Sequence, residues 1–158
     1  MQAGRRALVD YRTKYENLLK ISAMLSTPQH ESAKELERYM KDVDMLRSEL
    51  KASKITEAQR YAESIPQFYG NKVFLMEDYT SEQLRAFGNI VKDKTDGLVI
   101  CLSGKDNDFK YLIAAKDKEL SLMVKEINKD LFGRGGGRDE MVTGTFACTL
   151  SAIENYFK

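Results

Sequence analysis

The amino-acid sequence predicts an α+β protein: a long N-terminal helical hairpin or coiled coil, then a small mixed-sheet α/β domain with a glycine-rich loop. Up to residue 64 the apolar side chains keep a helical spacing that only Pro28 interrupts. Beyond Pro66, short apolar runs alternate with helical segments, and the run GRGGGR at 133–138 separates two of them. The predicted domains are therefore 1–66 and 67–158.

The helical part contains two predicted helices. The first covers residues 5–26, which lack glycine and proline, and it ends before Pro28 because the residue preceding a proline avoids the helical region. The second covers residues 29–64. One of its faces carries a heptad pattern, which we call the apolar seam and which comprises Leu36, Tyr39, Val43, Leu46 and Leu50. We expect this seam to be buried against the first helix or in a homodimer.

The second part alternates predicted strands and helices. Apolar runs predict strands at 72–77, 97–103, 109–115 and 142–148, and the second and third of these form a hairpin. Helices are predicted after a cap at Thr80 and Ser81, at 120–132 and at 151–157. Gly133 is expected to end the helix before it as a C-cap with positive φ, and the rest of the glycine-rich segment is expected to form a loop.

The composition limits the classes of function. With 25 basic and 24 acidic residues the net charge is +1, which leaves room only for a local basic patch. Cys101 and Cys148 lie far apart in apolar runs, so we expect them to be reduced and buried in a cytoplasmic protein. No apolar stretch approaches the ~20 residues that span a bilayer. His30 is the single histidine, and it has no zinc-ligand spacing with the cysteines.

The glycine-rich segment has two interpretations from its residues alone. It is consistent with a tight turn that packs a helix on a sheet. It would equally let a phosphate approach the backbone, with Arg134 and Arg138 as donors on either side. A P-loop needs Gly-Lys-Ser/Thr, which is missing, and a dinucleotide-binding fingerprint needs glycine where Arg138 stands.

The stretch KEINKDLFGRGGGRDEMVTGTF resembles the glycine-rich signature of the DHHA1 domain. That domain occurs in alanyl-tRNA synthetases, in AlaX-type alanyl-tRNA editing proteins and in DHH-type phosphoesterases. The signature matches at Gly135, Gly136, Gly137, Arg138, Met141 and Gly144, whereas Asp139, Glu140 and Val142 replace its proline, acid and alanine. The stretches AGRRALVDYRTKYENLLKISAMLST and SEQLRAFGNIVKDKTDGLVICLS are also similar to this family. The phosphoesterase branch does not fit, because the sequence has no Asp-His-His.

The resemblance implies a tRNA-binding and dimerisation accessory module of an alanyl-tRNA editing protein or of an alanyl-tRNA synthetase. The short helical linker favours the editing protein. The chain is expected to follow a missing editing domain that holds the zinc, and so to need no cofactor and to catalyse neither aminoacylation nor deacylation by itself. The expected partners are tRNA(Ala), contacted at its outer bend, and a second copy of the chain, with no membrane and no DNA.

The predicted nucleic-acid-binding residues are the glycines and arginines of the glycine-rich segment and two further groups of cations. They are Gly135, Gly136, Gly137, Arg134, Arg138, Lys125, Lys129, Arg5, Arg6 and Arg12. Two alternatives stay open: an oligomerisation module without direct RNA contact, and a DHHA1 domain that binds a small phosphorylated ligand.

Overall fold

A computed structural model describes residues 2–158, with side chains from Gly4 onward. The chain divides into two compact units, one up to Lys51 and one from Ala52 onward. This division lies inside the second helix and differs from the predicted boundary at 66/67. The reason is that Ala58 and Ala62, near the end of that helix, are fully buried in the second unit. The assignment of functional domains to 1–66 and 67–158 stays a prediction.

Two helices account for most of the first unit. Helix α1 spans Gln2–Leu25, a 3-10 turn spans Gln29–Glu31, and α2 spans Ser32–Ser64 and continues into the second unit. Between α1 and α2, Ser26 adopts a φ of 51° and the N–H of Thr27 donates to the Ser22 carbonyl over 3.1 Å. The two predicted helices are confirmed.

The apolar seam is exposed in the chain. The exposed fraction of its side chains runs from 42% at Val43 to 58% at Leu46 and Leu50. Leu8 and Tyr11 of α1 are also more than 60% exposed, at 63% and 68%. The expectation that α1 buries the seam is therefore wrong, because the apolar side chains of the two helices do not cover one another. Burial of the seam in a homodimer stays a prediction.

The second unit is built on a five-stranded mixed sheet. Its strands are β1 (Lys72–Leu75), β2 (Val99–Lys105), β3 (Asp108–Ala114), β4 (Gly133–Arg138) and β5 (Met141–Phe146), and its further helices are α3 (Ser81–Val91), α4 (Met123–Asp130) and α5 (Leu150–Phe157). The spatial order is β1-β2-β3-β5-β4. β1 and β2 are parallel, and the other pairs are antiparallel. The predicted α+β class is confirmed.

Helices cover the sheet on both sides. On one side Ile100, Tyr111 and Phe146 pack with apolar residues of α4 and α5, and we call this side the α4–α5 face. On the other side Cys101 and Leu112 pack with the end of α2 and with α3, and we call it the α2–α3 face. The alternation of buried side chains along β2 and β3 explains why both faces are apolar at the centre of the sheet.

Hydrogen bonds stabilise the ends of two helices on the α2–α3 face. Thr80 caps α3 in a capping box with Gln83, as the sequence predicts. The ammonium of Lys94 donates to the carbonyls of Ala62, Glu63 and Ile65 over 2.9, 2.7 and 2.6 Å. These carbonyls lie at the C-terminus of α2, where helical partners run out and a cation is favourable. Lys94 belongs to the 3-10 turn Lys92–Lys94 that follows α3, so it ties the end of α2 to the end of α3.

The glycine-rich segment is a strand rather than the predicted loop. Residues Gly133–Arg138 form β4, which pairs with β5 from Gly133↔Phe146 to Arg138↔Met141. The chain turns at Asp139, whose φ is 56°. Alternate glycines of β4 give the room that this pairing needs, so the segment extends along the sheet instead of looping away from it.

The end of α4 also differs from the prediction. Phe132, and not Gly133, adopts the positive φ, at 51°. Gly133 is required for space instead: a Cβ atom there would lie 2.5 Å from Asn128 Oδ1 and 2.7 Å from the Phe146 ring. The expected C-cap at Gly133 is therefore wrong.

Both cysteines are buried and unpaired, as predicted. Burial raises the pKa of the Cys101 thiol above its usual range. Among the described helices, none is both long enough and apolar enough to cross a membrane.

Candidate nucleic-acid interface

The odd-numbered glycines of β4 are explained by packing on the α4–α5 face. A Cβ atom at Gly135 would lie 2.7 Å from the Tyr111 hydroxyl, and one at Gly137 would lie 2.8 Å from the Cα of Val142. Tyr111 and Val142 both belong to the core on this face. Gly133, Gly135 and Gly137 are therefore requirements of the fold, and they need no ligand to account for them.

The even-numbered residues of β4 lie on the opposite side, the α2–α3 face, because side chains alternate along a strand. These residues are Arg134, Gly136 and Arg138, and all three are exposed. A Cβ atom at Gly136 would meet nothing within 4 Å. Packing thus gives no reason for glycine at this position, which lies between two arginines on one face.

Helix α3 leaves this end of the sheet uncovered. It packs on β2 and β3, where Gly88 lets it approach the Leu112 side chain closely. On β5, Thr143 is half-buried and Thr145 is exposed. The α2–α3 face is therefore open to solvent along β4 and part of β5.

Sequence reasoning missed a third cation on this open surface, Lys110. Phe109 and Tyr111 pack in the core of the α4–α5 face, so Lys110 between them lies on the α2–α3 face and is exposed. Thr145 lies opposite both Lys110 and Arg134. Since neighbouring strands are about 4.8 Å apart, the backbones of Lys110 and Arg134 are about 10 Å apart. We call Lys110, Arg134, Gly136 and Arg138 the basic surface. The strand alternation around Lys110 was the signal that could have identified it.

The arginines of the basic surface are not engaged by acidic side chains. Among residues 2–158, no ion pair joins Arg134 or Arg138 to a carboxylate. Two acids near them in the sequence have other partners: Glu140 pairs with Lys92, and Asp130 accepts a hydrogen bond from the Tyr156 hydroxyl over 3.3 Å. Both guanidinium groups are therefore available to an anionic ligand.

Glu140 is instead part of the structure that supports the β4–β5 turn. The Lys92 ammonium and the backbone N–H of Asp117 donate to its carboxylate, the latter over 2.9 Å. These hydrogen bonds lower the pKa of Glu140 below its ordinary value. The turn is thus held by an acid–base pair that leaves the arginines free.

The other predicted RNA-binding cations do not lie on the basic surface. Lys125 and Lys129 are exposed on α4, whose buried residues Val124 and Ile127 pack on the α4–α5 face. They therefore lie on the other side of the sheet from Arg134. Arg5, Arg6 and Arg12 are exposed on α1, which belongs to the first unit.

The described residues contain no group of three His, Cys, Asp or Glu side chains that could hold a metal ion. His30 is exposed, and its Nε2 lies 3.6 Å from Glu31 Oε1.

Comparison with curated proteins finds relatives of one kind. The alanine–tRNA ligases of Thermoanaerobacter sp. (strain X514) and Thermoanaerobacter pseudethanolicus are each 31% identical to the chain over 153 residues. Their alignments cover 88% of the chain. The chain is a homologue of the alanine–tRNA ligases. The ligase of Natranaerobius thermophilus is 24% identical over 154 residues, 87% of the chain.

The alignments cover only part of each ligase. The chain spans 17% of the length of these relatives. The similarity is therefore to a segment of these ligases and not to their whole length.

Among solved structures, the chain is similar to the C-Ala domain from Aquifex aeolicus alanyl-tRNA synthetase. Its TM-score is 0.47 at 19% identity, and the match covers 59% of the chain and 92% of that domain. No protein-family model matches the chain, so the DHHA1 assignment stays a prediction.

Proposed function

We propose that this chain is a tRNA-binding and dimerising accessory module of a protein that acts on alanyl-tRNA. Its homologues are named for joining alanine to tRNA, and they exceed it in length several-fold. We propose that this segment holds or delivers the RNA for a catalytic region elsewhere in the parent protein. The chain itself is proposed to carry no catalytic residue.

The observation that carries the proposal is that the alternate residues Arg134, Gly136 and Arg138 lie in a row on one open face of an edge strand. Each guanidinium presents a fork of donors that matches phosphate oxygens. Gly136, which the fold does not require, keeps the backbone between them bare, so a phosphate group can approach the strand closely. Lys110 extends the positive charge across β5.

Phosphate contact suits a folded RNA as the ligand. Folded RNA presents mainly its phosphate backbone and 2′-hydroxyl groups to proteins. The near-neutral net charge of +1 does not oppose this, because affinity depends on where the cations lie. We propose tRNA(Ala), approached at its outer bend, as the partner of the basic surface.

Dimerisation is proposed to use the apolar seam of α2. Five large side chains at alternating spacings of three and four are exposed along one helix, and a second copy of the same helix would bury them. An oligomerisation module that does not touch RNA is the competing function, and it predicts an intact dimer without affinity for tRNA.

Two features of the whole protein remain proposals. The parent is either an editing hydrolase, favoured by the short helical linker, or an alanine–tRNA ligase, the activity named in its homologues. In either case zinc is expected only in a catalytic domain outside this chain. A cytoplasmic location is proposed, since tRNA and its synthetases work there.

Binding of tRNA(Ala) by two matched double variants tests the proposal. R134Q/R138Q removes two cations from the basic surface, and K125Q/K129Q removes two from the other side of the sheet. Charge-assisted hydrogen bonds contribute roughly 1.5–3 kcal/mol each, so R134Q/R138Q, which loses two, should bind at least roughly a hundredfold more weakly. K125Q/K129Q should stay close to wild type. Equal losses for the two variants, or none for either, would refute the basic surface as the RNA site.

A further inference from the structure

Phe132 combines exposure with an unfavourable backbone conformation. Its side chain is 75% exposed, and its φ is 51°. For a bulky residue this left-handed conformation is an outlier, and it costs on the order of 1–3 kcal/mol. Helices commonly end on a left-handed residue, but that residue is usually glycine or asparagine. Neither burial nor backbone geometry therefore explains a phenylalanine here.

The neighbours of Phe132 hold it in this conformation. Leu131 before it is 4% exposed, and its N–H donates to the Ile127 carbonyl over 2.9 Å. Gly133 after it is fixed between Asn128 and Phe146, where a Cβ atom would not fit. With both neighbours anchored in the core, the chain must turn at residue 132 and the aromatic ring is directed to solvent. Strained, over-determined residues of this kind concentrate at functional sites.

The position of Phe132 beside the basic surface indicates which kind of ligand its ring binds. It immediately precedes β4, so its Cα lies within about 7 Å of the Cα of Arg134. An exposed aromatic ring beside a cation is an arrangement with which proteins bind single-stranded or unpaired nucleotides, because a base stacks on the ring while a phosphate contacts the charge.

We propose that the Phe132 ring stacks on an accessible base of the RNA whose phosphates contact the basic surface. This inference rests on the proposed function and adds a contact of a different kind. Phosphate contacts depend on salt and tolerate any sequence, whereas stacking needs a base that is not covered in its own stack. The ligand class is thus a folded RNA with at least one accessible base beside a phosphate, and not a fully paired duplex.

The test measures binding of tRNA(Ala) transcript to four variants of the full chain. F132L removes the aromatic ring but keeps an apolar side chain, and F132W keeps stacking. F132G removes the ring and also suits the positive φ. Y69L is the matched control, because Tyr69 is 92% exposed and precedes β1 at the other edge of the sheet.

We expect F132L and F132G to bind roughly tenfold more weakly, since one stacked base contributes about that factor or more. F132W and Y69L should bind like wild type. The unfolding temperature of F132G should be unchanged or higher, because glycine adopts a positive φ without strain. A structural role for Phe132 would instead lower it.

The outcomes separate this inference from the function on which it rests. If wild type binds tRNA, R134Q/R138Q weakens binding and F132L does not, the stacking contact is wrong and the basic surface stands. If F132G loses both affinity and stability, and F132W also binds more weakly than wild type, Phe132 is a structural residue and the inference is overturned. If wild type does not bind tRNA, both proposals fail.

Discussion

Gly135 and Gly144 lie directly opposite each other in the β4–β5 pair, and neither position has room for a side chain. A Cβ atom at Gly135 would lie 2.5 Å from the Cα of Gly144, and one at Gly144 would lie 2.7 Å from the Cα of Gly135. The Tyr111 ring occupies the space beside them, stacked on Phe146 at 4.1 Å. Its hydroxyl donates to Asn128 Oδ1 over 2.9 Å, and the Asn128 amide donates to the Gly135 carbonyl over 3.2 Å. The glycine pair thus connects the edge strand to α4.

This relationship predicts opposite effects for two adjacent glycines. G135A should destabilise the second unit by about 1–3 kcal/mol, because the added methyl group overpacks against backbone and the Tyr111 side chain. G136A should leave stability unchanged or raise it by up to about 1 kcal/mol, since the methyl group points into open space and limits the unfolded chain. Urea unfolding of both variants measures the difference. Equal destabilisation by the two substitutions would show that β4 does not pair as described.

Gly136 also allows a separation of stability from function. G136V keeps the charge of the basic surface and adds a branched side chain between the two arginines. We expect G136V to fold as stably as wild type and to bind tRNA(Ala) more weakly, because the phosphate can no longer approach the strand. Binding equal to wild type would mean that bare backbone at this position has no role in RNA contact.

The sequence was sufficient for the helices and for most of the sheet. Helical periodicity, Pro28 and the Thr80 cap predicted elements that the structure confirms. It was not sufficient for β4, because a run of glycine and arginine has no apolar alternation and glycine normally weakens a strand. The strand forms because its glycines fit against Gly144 of the next strand and against the Tyr111 side chain. Tyr111 lies on β3, before α4, so no local sequence pattern reveals this contact.

The apolar seam predicts a dimer that a single charge disrupts. L46D places an unpaired carboxylate in the middle of the seam, where desolvation would be costly. Sedimentation equilibrium at tens of micromolar should give a dimer for wild type and a monomer for L46D. S48D is the control, because Ser48 is exposed and lies off the seam. A monomeric wild type would contradict dimerisation, and dissociation of S48D to the same extent would contradict the seam as its interface.

The pairing of Glu140 with Lys92 predicts a pH dependence of stability. The folded state lowers the pKa of Glu140, chiefly through the hydrogen bond from Lys92. A lowered acidic pKa contributes stability above the unfolded value of about 4.3, and this contribution is lost as the pH falls through the folded pKa. E140Q should therefore be less stable than wild type at pH 7 and should converge with it in acid. Urea midpoints from pH 7 to pH 3 measure this, with E154Q, at an exposed position of α5, as the control. A difference that is constant with pH would exclude the ion pair as its cause.

The candidate site was only partly predictable for a related reason. Arginine beside glycine in the sequence predicts Arg134 and Arg138 as phosphate ligands, and in the structure the two residues share one open face. Lys125 and Lys129 are near them in the sequence but lie on the other side of the sheet, because a helix and the strand after it occupy different layers. Lys110 is distant in the sequence and joins them only through the pairing of β3 with β5.

The salt dependence of tRNA(Ala) binding tests the central claim most directly. Each phosphate that a cation neutralises releases counterions, so the logarithm of the affinity falls linearly with the logarithm of the salt concentration. We predict that R134Q/R138Q binds more weakly than wild type and has a slope shallower by up to roughly two units, one for each lost contact. Its unfolding temperature should stay that of wild type, since neither arginine pairs with a described acidic side chain. A double variant with wild-type affinity and wild-type slope would contradict the assignment of the basic surface to RNA.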